Sequence, residues 1–313
     1  MLKKLGFIGA GKQAQAHAKA AVSLGAEVHK VFVKTNKSPN LEEFCKIANN
    51  KCEDLSGHWP SMLDADLDAI IVCAPWNVIP EMMPELLASP LPMLIEKPVM
   101  LGMKKEVWTN PGQNKYVAMN RRFYGAVAEL KRMIEAAEVI SVEAVWSDQV
   151  KELEDRHPGI TPHLMEMYSI HMLDLLYYLF DSLRLAHAGP MPEGSVDAHF
   201  EAGSIFTPFP LHLSITQNNP QKSGITVRTK EHGCLVLSPL EELNVYRKME
   251  ILESEFGGRK YQPQYSMRHH EQTSGVKAGI MGQMDAFLNG DAEKLATIDD
   301  AIYIRNLINE LRS

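Results

Sequence analysis

The stretch LKKLGFIGAGKQAQAHAKAAVSLG, residues 2–25, decides the fold. Leu2 to Ile8 reads as a strand, and Lys12 to Leu24 as an alanine-rich helix. Between them lies a turn of small residues, Gly9-Ala10-Gly11-Lys12-Gln13-Ala14. Gly25 is a natural stop for the helix, because glycine tolerates the left-handed conformation. A strand, a G-x-G-x-x-A turn and a helix in that order give the turn its meaning as a phosphate cradle. Gly9 allows the tight turn, Gly11 lets the backbone approach a ligand, and Ala14 lets the helix sit close to the strand. The start of the helix then supplies N–H groups and the positive end of its dipole to a phosphate.

Working outward, the pattern repeats. Val28 to Val33 reads as a strand and Leu41 to Asn50 as a helix. Ala69 to Ala74 (AIIVCA) is a continuous apolar run, as in a strand buried on both faces, and Pro75 ends it. Val78 to Ala88 is a helix, and Met93 to Ile95 is a strand running into Glu96-Lys97-Pro98. Strands alternating with helices predict an α/β fold with a doubly wound parallel sheet of the Rossmann kind over residues 1–118.

Residues 119–313 change character. Helical stripes cover Tyr124 to Ala137 and His163 to Phe180. Ile140 to Trp146 alternates like a strand, and further strand-like runs lie between Val196 and Tyr246. This predicts an α+β domain with an open, mostly antiparallel sheet. Asp148 to Pro162 and Gly257 to Ser274 read as loops, and the helix from Ala301 to Leu311 is free to pack back on the first domain.

A chain of 313 residues suits two domains at about 150 residues each. Its formal charge of −7 offers no basic field for nucleic acid or an anionic membrane. The four cysteines form no CxxC pair, which suits reduced thiols in a cytoplasmic setting. No signal peptide is read before the first strand, and no apolar run reaches the length of a membrane span. The expected partners are a small-molecule substrate and further copies of the chain, in a homo-oligomer.

A lysine just past a strand end lies where an α/β sheet keeps its ligands. With the glycine turn, Lys97 suggests hydride-transfer chemistry on a nicotinamide dinucleotide. Residues expected to hold that cofactor are Gly9, Gly11, Lys12, Gln13, Lys34, Thr35, Ala74, Pro75, Glu96 and Lys97. An NAD site carries an acid about 20 residues past the glycines. Here the second strand ends in Val33-Lys34-Thr35-Asn36-Lys37, and the nearby Glu27 is at its other end. Two lysines, a threonine and an asparagine suit a 2′-phosphate, so NADP is favoured and NAD remains possible.

Gly9-Ala10-Gly11 with His17, the run from Ala69 to Pro75, Glu96-Lys97-Pro98, Asn120-Arg121-Arg122-Phe123 and His171-Met172-Leu173-Asp174 occur in that order. Together they resemble the Gfo/Idh/MocA oxidoreductases, named for glucose–fructose oxidoreductase and inositol dehydrogenase, over almost the whole chain. The resemblance implies a Rossmann domain followed by an open-sheet domain, and a sugar, polyol or sugar acid as substrate. It also implies that Lys97 sits near the nicotinamide and orients the reacting oxygen. His171 then belongs to the second part of the catalytic set. The family's sugar dehydrogenases carry Asp four residues before this histidine, where this chain has Met167. At helical spacing, Tyr168 at i−3 and Asp174 at i+3 share the face of His171. Tyr168 or His171 is thus expected to move the proton, with Asp174 beside the substrate.

The alternative is a buried structural pair, His171 with Asp174, and Tyr168 in the core. Glu166 points away from His171. Of Arg121 and Arg122, one is expected to contact the substrate and the other to make a structural ion pair. The spacing of His157, His163 and His171 fits no metal motif, and His269-His270 stands in a polar stretch, so no metal is expected. A dinucleotide-binding sensor that kept the fold and lost the chemistry is the second reading.

Overall fold

The first strand is β1, Lys4–Ile8, with four of its five residues buried. Helix α1, Lys12–Ser23, follows directly. It ends as its glycine predicts. Gly25 adopts φ +83°, its N–H bonds the carbonyl of Val22 and that of Ala26 bonds Ala21, which ties off the last carbonyls. The alternation continues through β2 (Glu27–Phe32), α2 (Pro39–Ile47), β3 (Glu53–Asp54), β4 (Ala69–Val72), α3 (Ile79–Ala88), β5 (Met93–Ile95) and β6 (Lys115–Val117). The computed structural model describes residues 4–34, 39–49, 53–54, 58–99, 101, 113–190, 195–253, 255–270 and 275–313. Thr35, expected at the adenosine end of the cofactor, lies outside the described residues.

Next come α4 (Gly125–Glu135), β7 (Val139–Asp148), α5 (Val150–Arg156) and α6 (Ile170–Phe180). Seven strands follow: β8 (Leu183–Pro190), β9 (Val196–Ala202), β10 (Phe209–Gln217), β11 (Gly224–Thr229), β12 (Gly233–Leu237), β13 (Glu242–Glu253) and β14 (Arg259–His270). The chain closes with α7 (Ile280–Asn289), β15 (Ala296–Thr297) and α8 (Ile298–Arg312).

Two sheets organise these elements. The first has the order β15-β6-β5-β4-β1-β2-β3. Leaving out β15, which joins β6 antiparallel, this is the 3-2-1-4-5-6 order of a doubly wound dinucleotide fold. The order reverses between β1 and β4, which pair in parallel, so their C-terminal ends flank the switch point. The second sheet has the order β14-β13-β12-β11-β7-β10-β9-β8, antiparallel except for the pair β7 and β10. The expected fold class holds.

The chain divides into two compact units, Met1–Phe123 with Thr273–Arg305, and Tyr124–Gln272 with Asn306–Ser313. The return of the later segment to the first unit has a packing cause. Helix α1 presents the small residues Ala14, Ala18 and Ala21, and α7 packs on it with Ile280, Met284 and Phe287 in the same buried cluster. Start signals also fix α8: Thr297 and Asp300 exchange side-chain-to-backbone bonds of 3.0 and 3.1 Å, a capping box.

Three local readings need correction. Asp148 to Pro162 is not simply a loop, since α5 occupies Val150–Arg156. Gly257 to Ser274 holds the long edge strand β14, paired with β13, and its polar composition reflects exposure on both faces. His269 and His270 therefore sit in that strand. The helix expected from His163 to Phe180 is broken into a 3₁₀ turn at Thr161–His163, a π segment at Met165–Ser169 and then α6. The π segment is anchored where Ser169 donates to the buried Asp148 at the end of β7, at 2.7 Å. Apolar residues on both sides of the insertion keep the helical stripe continuous, so the stripe does not reveal it.

Candidate active site

The glycine turn follows from backbone crowding. Gly9 has φ +105°, and a Cβ there would lie 2.4 Å from the Cys73 carbonyl at the β4 exit. Only glycine fits both the dihedral and the gap. Gly11 is different: a Cβ there would meet nothing within 4 Å. The space before it is open, as the approach of a pyrophosphate requires. Gly11 is also the N-cap of α1, with no side-chain cap and no acid in the first turn. The first N–H groups of α1 thus have no capping side chain and no repelling charge. These features fit a dinucleotide. Ala74 and Pro75 follow β4, beside the Gly9 turn, and Lys34 stands exposed just past β2.

Glu96 joins the turn to the lysine. It is buried at the exit of β5 and accepts two hydrogen bonds on Oε1, from Gln13 Nε2 at 3.2 Å and His17 Nε2 at 3.0 Å. Both donors come from α1. Burial, the largest single effect, pushes the Glu96 carboxyl up. The His17 hydrogen bond and charge, with Lys97 and Lys277, outweigh it and leave the carboxyl below its ordinary value. Glu96 therefore stays ionised and fixes the strand exit that carries the half-buried Lys97. The Lys97–Pro98 peptide is cis. Cys73 is no rival nucleophile, because burial first and the Glu96 charge second push its thiol well up.

Lys277 carries no sequence motif. It stands in an irregular segment before α7, far along the chain from the motifs. The surrounding protein, as the largest effect, lowers its ammonium pKa, the Glu96 charge raises it and the Arg121 charge lowers it. Glu96 thus feels the charges of Lys97 and Lys277, and Lys277 feels those of Glu96 and Arg121. Of the two arginines, Arg122 makes the expected structural ion pair. Arg122 is buried and pairs with Asp300 at 3.2 Å, a structural bond to the start of α8. Asn120 is also structural, donating to the Ala278 carbonyl at 2.8 Å.

The second unit carries the other candidates. His171 and Asp174 are both buried on α6, at 8% and 2% exposure. Met167 is buried and Tyr168 half-buried, within the π segment. The i→i+5 bonding there widens the turn, so the spacing argument that places Tyr168 on the face of His171 loses its 3.6-residue basis. Such insertions are frequent at functional sites. Burial raises the Tyr168 pKa first; Arg156 opposes and Asp148 adds to the rise. The hydroxyl therefore keeps its proton at neutral pH, which suits an acid more than a base.

Asp148, unnoticed in the sequence, accepts from Trp146 Nε1 and Ser169 Oγ, each at 2.7 Å, and so seats the π segment on β7. Glu166 accepts from Arg312 at 2.8 Å. No helix among the described residues is long and apolar enough to cross a membrane.

Residues 4–96 match the family described as NADP oxidoreductase, coenzyme F420-dependent. No curated protein matches the sequence. Solved structures match throughout. A levoglucosan dehydrogenase in complex with NADH is 16% identical, with a TM-score of 0.73, over 99% of this chain and 95% of that one. The dehydrogenase MviM from Clostridium difficile is 16% identical, with a TM-score of 0.71, over 98% of each chain. A myo-inositol dehydrogenase from Corynebacterium glutamicum is 14% identical, with a TM-score of 0.67, over 99% of this chain and 95% of that one. With its 3-2-1-4-5-6 sheet, its glycine turn and its second, largely antiparallel sheet, the chain has the fold of the Gfo/Idh/MocA-type dehydrogenases.

Proposed function

We propose that this protein is a nicotinamide-dependent oxidoreductase acting on a hydroxyl or carbonyl carbon of a small polar substrate, a sugar, polyol or sugar acid. The observation that carries this reading is the bond pair from Gln13 and His17 to Glu96. It makes the glycine turn, α1 and the Lys97 exit one assembly beside the switch point. The similar structures include a levoglucosan dehydrogenase with NADH and L-sorbose, which supports a polyhydroxylated substrate.

Gly9, Gly11, Lys12, Gln13, Ala74 and Pro75 would hold the dinucleotide, with Lys34 and Thr35 at its adenosine end; Glu96, bonded to Gln13 and His17, would act by positioning the cradle and Lys97. Bound there, the nicotinamide supplies hydride exchange at one ring carbon. Lys97 Nζ orients the substrate oxygen and stabilises negative charge developing on it. The Tyr168 hydroxyl gives up its proton in the reducing direction, with the His171 imidazole as the competing group. Arg121 holds a polar or anionic part of the substrate, and Asp174 a hydroxyl. Met167 favours the second reading, a dinucleotide-binding sensor, because a buried thioether cannot move a proton. We further propose a homo-oligomer in the cytoplasm. The outer part of the β13–β14 hairpin supports self-association, with Met249, Ile251, Phe256 and Tyr261 exposed. Sedimentation that stays monomeric at high concentration would argue against it.

The cofactor is proposed to be NADP(H), from the lysines after β2 and the absence of an acid there. Fluorescence titration with NADPH and NADH tests this. Tighter NADPH binding is expected, and tighter NADH binding would overturn the preference.

A further inference from the structure

On the second unit, strands β8, β9 and β10 lie side by side, and three histidines stand in register across them. His199 on β9 is opposite His212 on β10 and also opposite His187 on β8. Directly opposed residues share a face of the sheet. That face is the solvated one. Ala198, Phe200, Leu211 and Leu213 point the other way into the core, while His199 keeps 57% and His212 38% of its side chain exposed.

Asp197, two residues before His199, falls on the same face. It meets both rings. Asp197 Oδ2 lies 2.9 Å from His212 Nε2, and Asp197 Oδ1 lies 3.6 Å from His199 Nε2. The two imidazoles stack, with centroids 4.7 Å apart and planes 21° from parallel. One ligand atom from each of the three residues lies within 4.8 Å of the others.

We propose that Asp197, His199 and His212 bind a divalent transition ion of the kind imidazole prefers, with zinc the working example. The donor set is two neutral nitrogens and one carboxylate oxygen, which suits zinc, copper or nickel over magnesium or calcium. The spacing suits it too. With bonds of about 2.0–2.1 Å, two ligand atoms on a tetrahedral ion stand roughly 3.3 Å apart; His212 Nε2 and Asp197 Oδ2 stand 2.9 Å apart, and the three ligand atoms lie within 4.8 Å of one another, so a turn of the exposed His199 ring closes the set. Both rings already turn Nε2 towards the one carboxylate, and an ion bound there displaces any proton those nitrogens carry. Three protein ligands on a solvated face leave the remaining positions to water. The ion would fasten β9 to β10 on the face opposite α6, apart from His171. His187 continues the row beyond the three ligands.

Calorimetric titration of the EDTA-stripped full-length protein with zinc chloride tests the site, alongside thermal melting. One ion per chain is expected, with a rise in melting temperature on adding zinc. His199→Ala, His212→Ala and Asp197→Asn should each weaken binding at least tenfold and remove the rise in melting temperature. His270→Ala should bind as the unaltered protein does. Since His199 and His212 are partly exposed, the variants should melt without zinc as the parent does. If one fails to fold, the other two decide. No binding near one ion per chain, or undiminished binding in the His199→Ala/His212→Ala double variant, would overturn the proposal.

Discussion

Glu96 shows how one buried charge can be read in stability and in function. Its carboxyl is held below the ordinary 4.5 in the folded protein, despite the opposing effect of burial. Such a group stabilises the fold fully above the ordinary value, and the contribution fades as pH falls through the lowered one. Glu96→Gln keeps the shape and removes the titration. The unfolding free energies of parent and variant, from urea melts, should differ most at neutral pH, and the gap should close below pH 4.5. A gap that does not change with pH would contradict this account of Glu96. Tyr168 and His171 make the second test. Tyr168→Phe keeps the ring and removes the hydroxyl, so turnover should fall about 100- to 10,000-fold with substrate affinity nearly unchanged. If Tyr168→Phe is silent and His171→Asn is inactive, the histidine moves the proton and Tyr168 is packing.

At the scale of elements, the glycine turn and α1 were legible in residues 2–25, because a tight turn, a phosphate approach and a close helix each demand a small residue. The two glycines now separate by cause. Gly9→Ala drives a Cβ into the Cys73 carbonyl and should destabilise the protein by about 1–3 kcal/mol or more. Gly11→Ala meets open space and should cost less than about 1 kcal/mol of stability while weakening dinucleotide binding. Chemical denaturation and cofactor titration on both variants check the split; equal loss of stability would contradict it. The π segment at Met165–Ser169 was not legible, since its apolar residues fit an unbroken helix as well. The strand β14 was missed because Arg259–His270 is exposed on both faces, and alternation appears only when one face is buried. Lys277 and Asp148 carry no local motif; they reach Glu96 and Ser169 only through the fold. The histidine row is likewise a matter of register across β8, β9 and β10.

At the scale of the whole molecule, two sheets of different kind were foreseeable from the change of pattern near residue 119. A return of the final helix to the first domain is open from the sequence; that the segment carrying α7 returns with it is not legible, because it depends on the alanine face of α1 accepting α7. The proposed reaction is hydride transfer on a polyhydroxylated substrate by a nicotinamide cradle and Lys97 acting together. It is tested most directly by following reduced-cofactor absorbance in the unaltered protein and in Lys97→Ala, against a panel of sugars, polyols and their keto acids. Turnover is expected with at least one member, and a loss on the order of 100-fold or more in the variant. Cofactor affinity should persist in the variant, since Gly9, Gly11 and the first turn of α1 are untouched. Unaltered protein that binds no reduced nicotinamide, or a Lys97→Ala variant that turns over as the parent does, would contradict it.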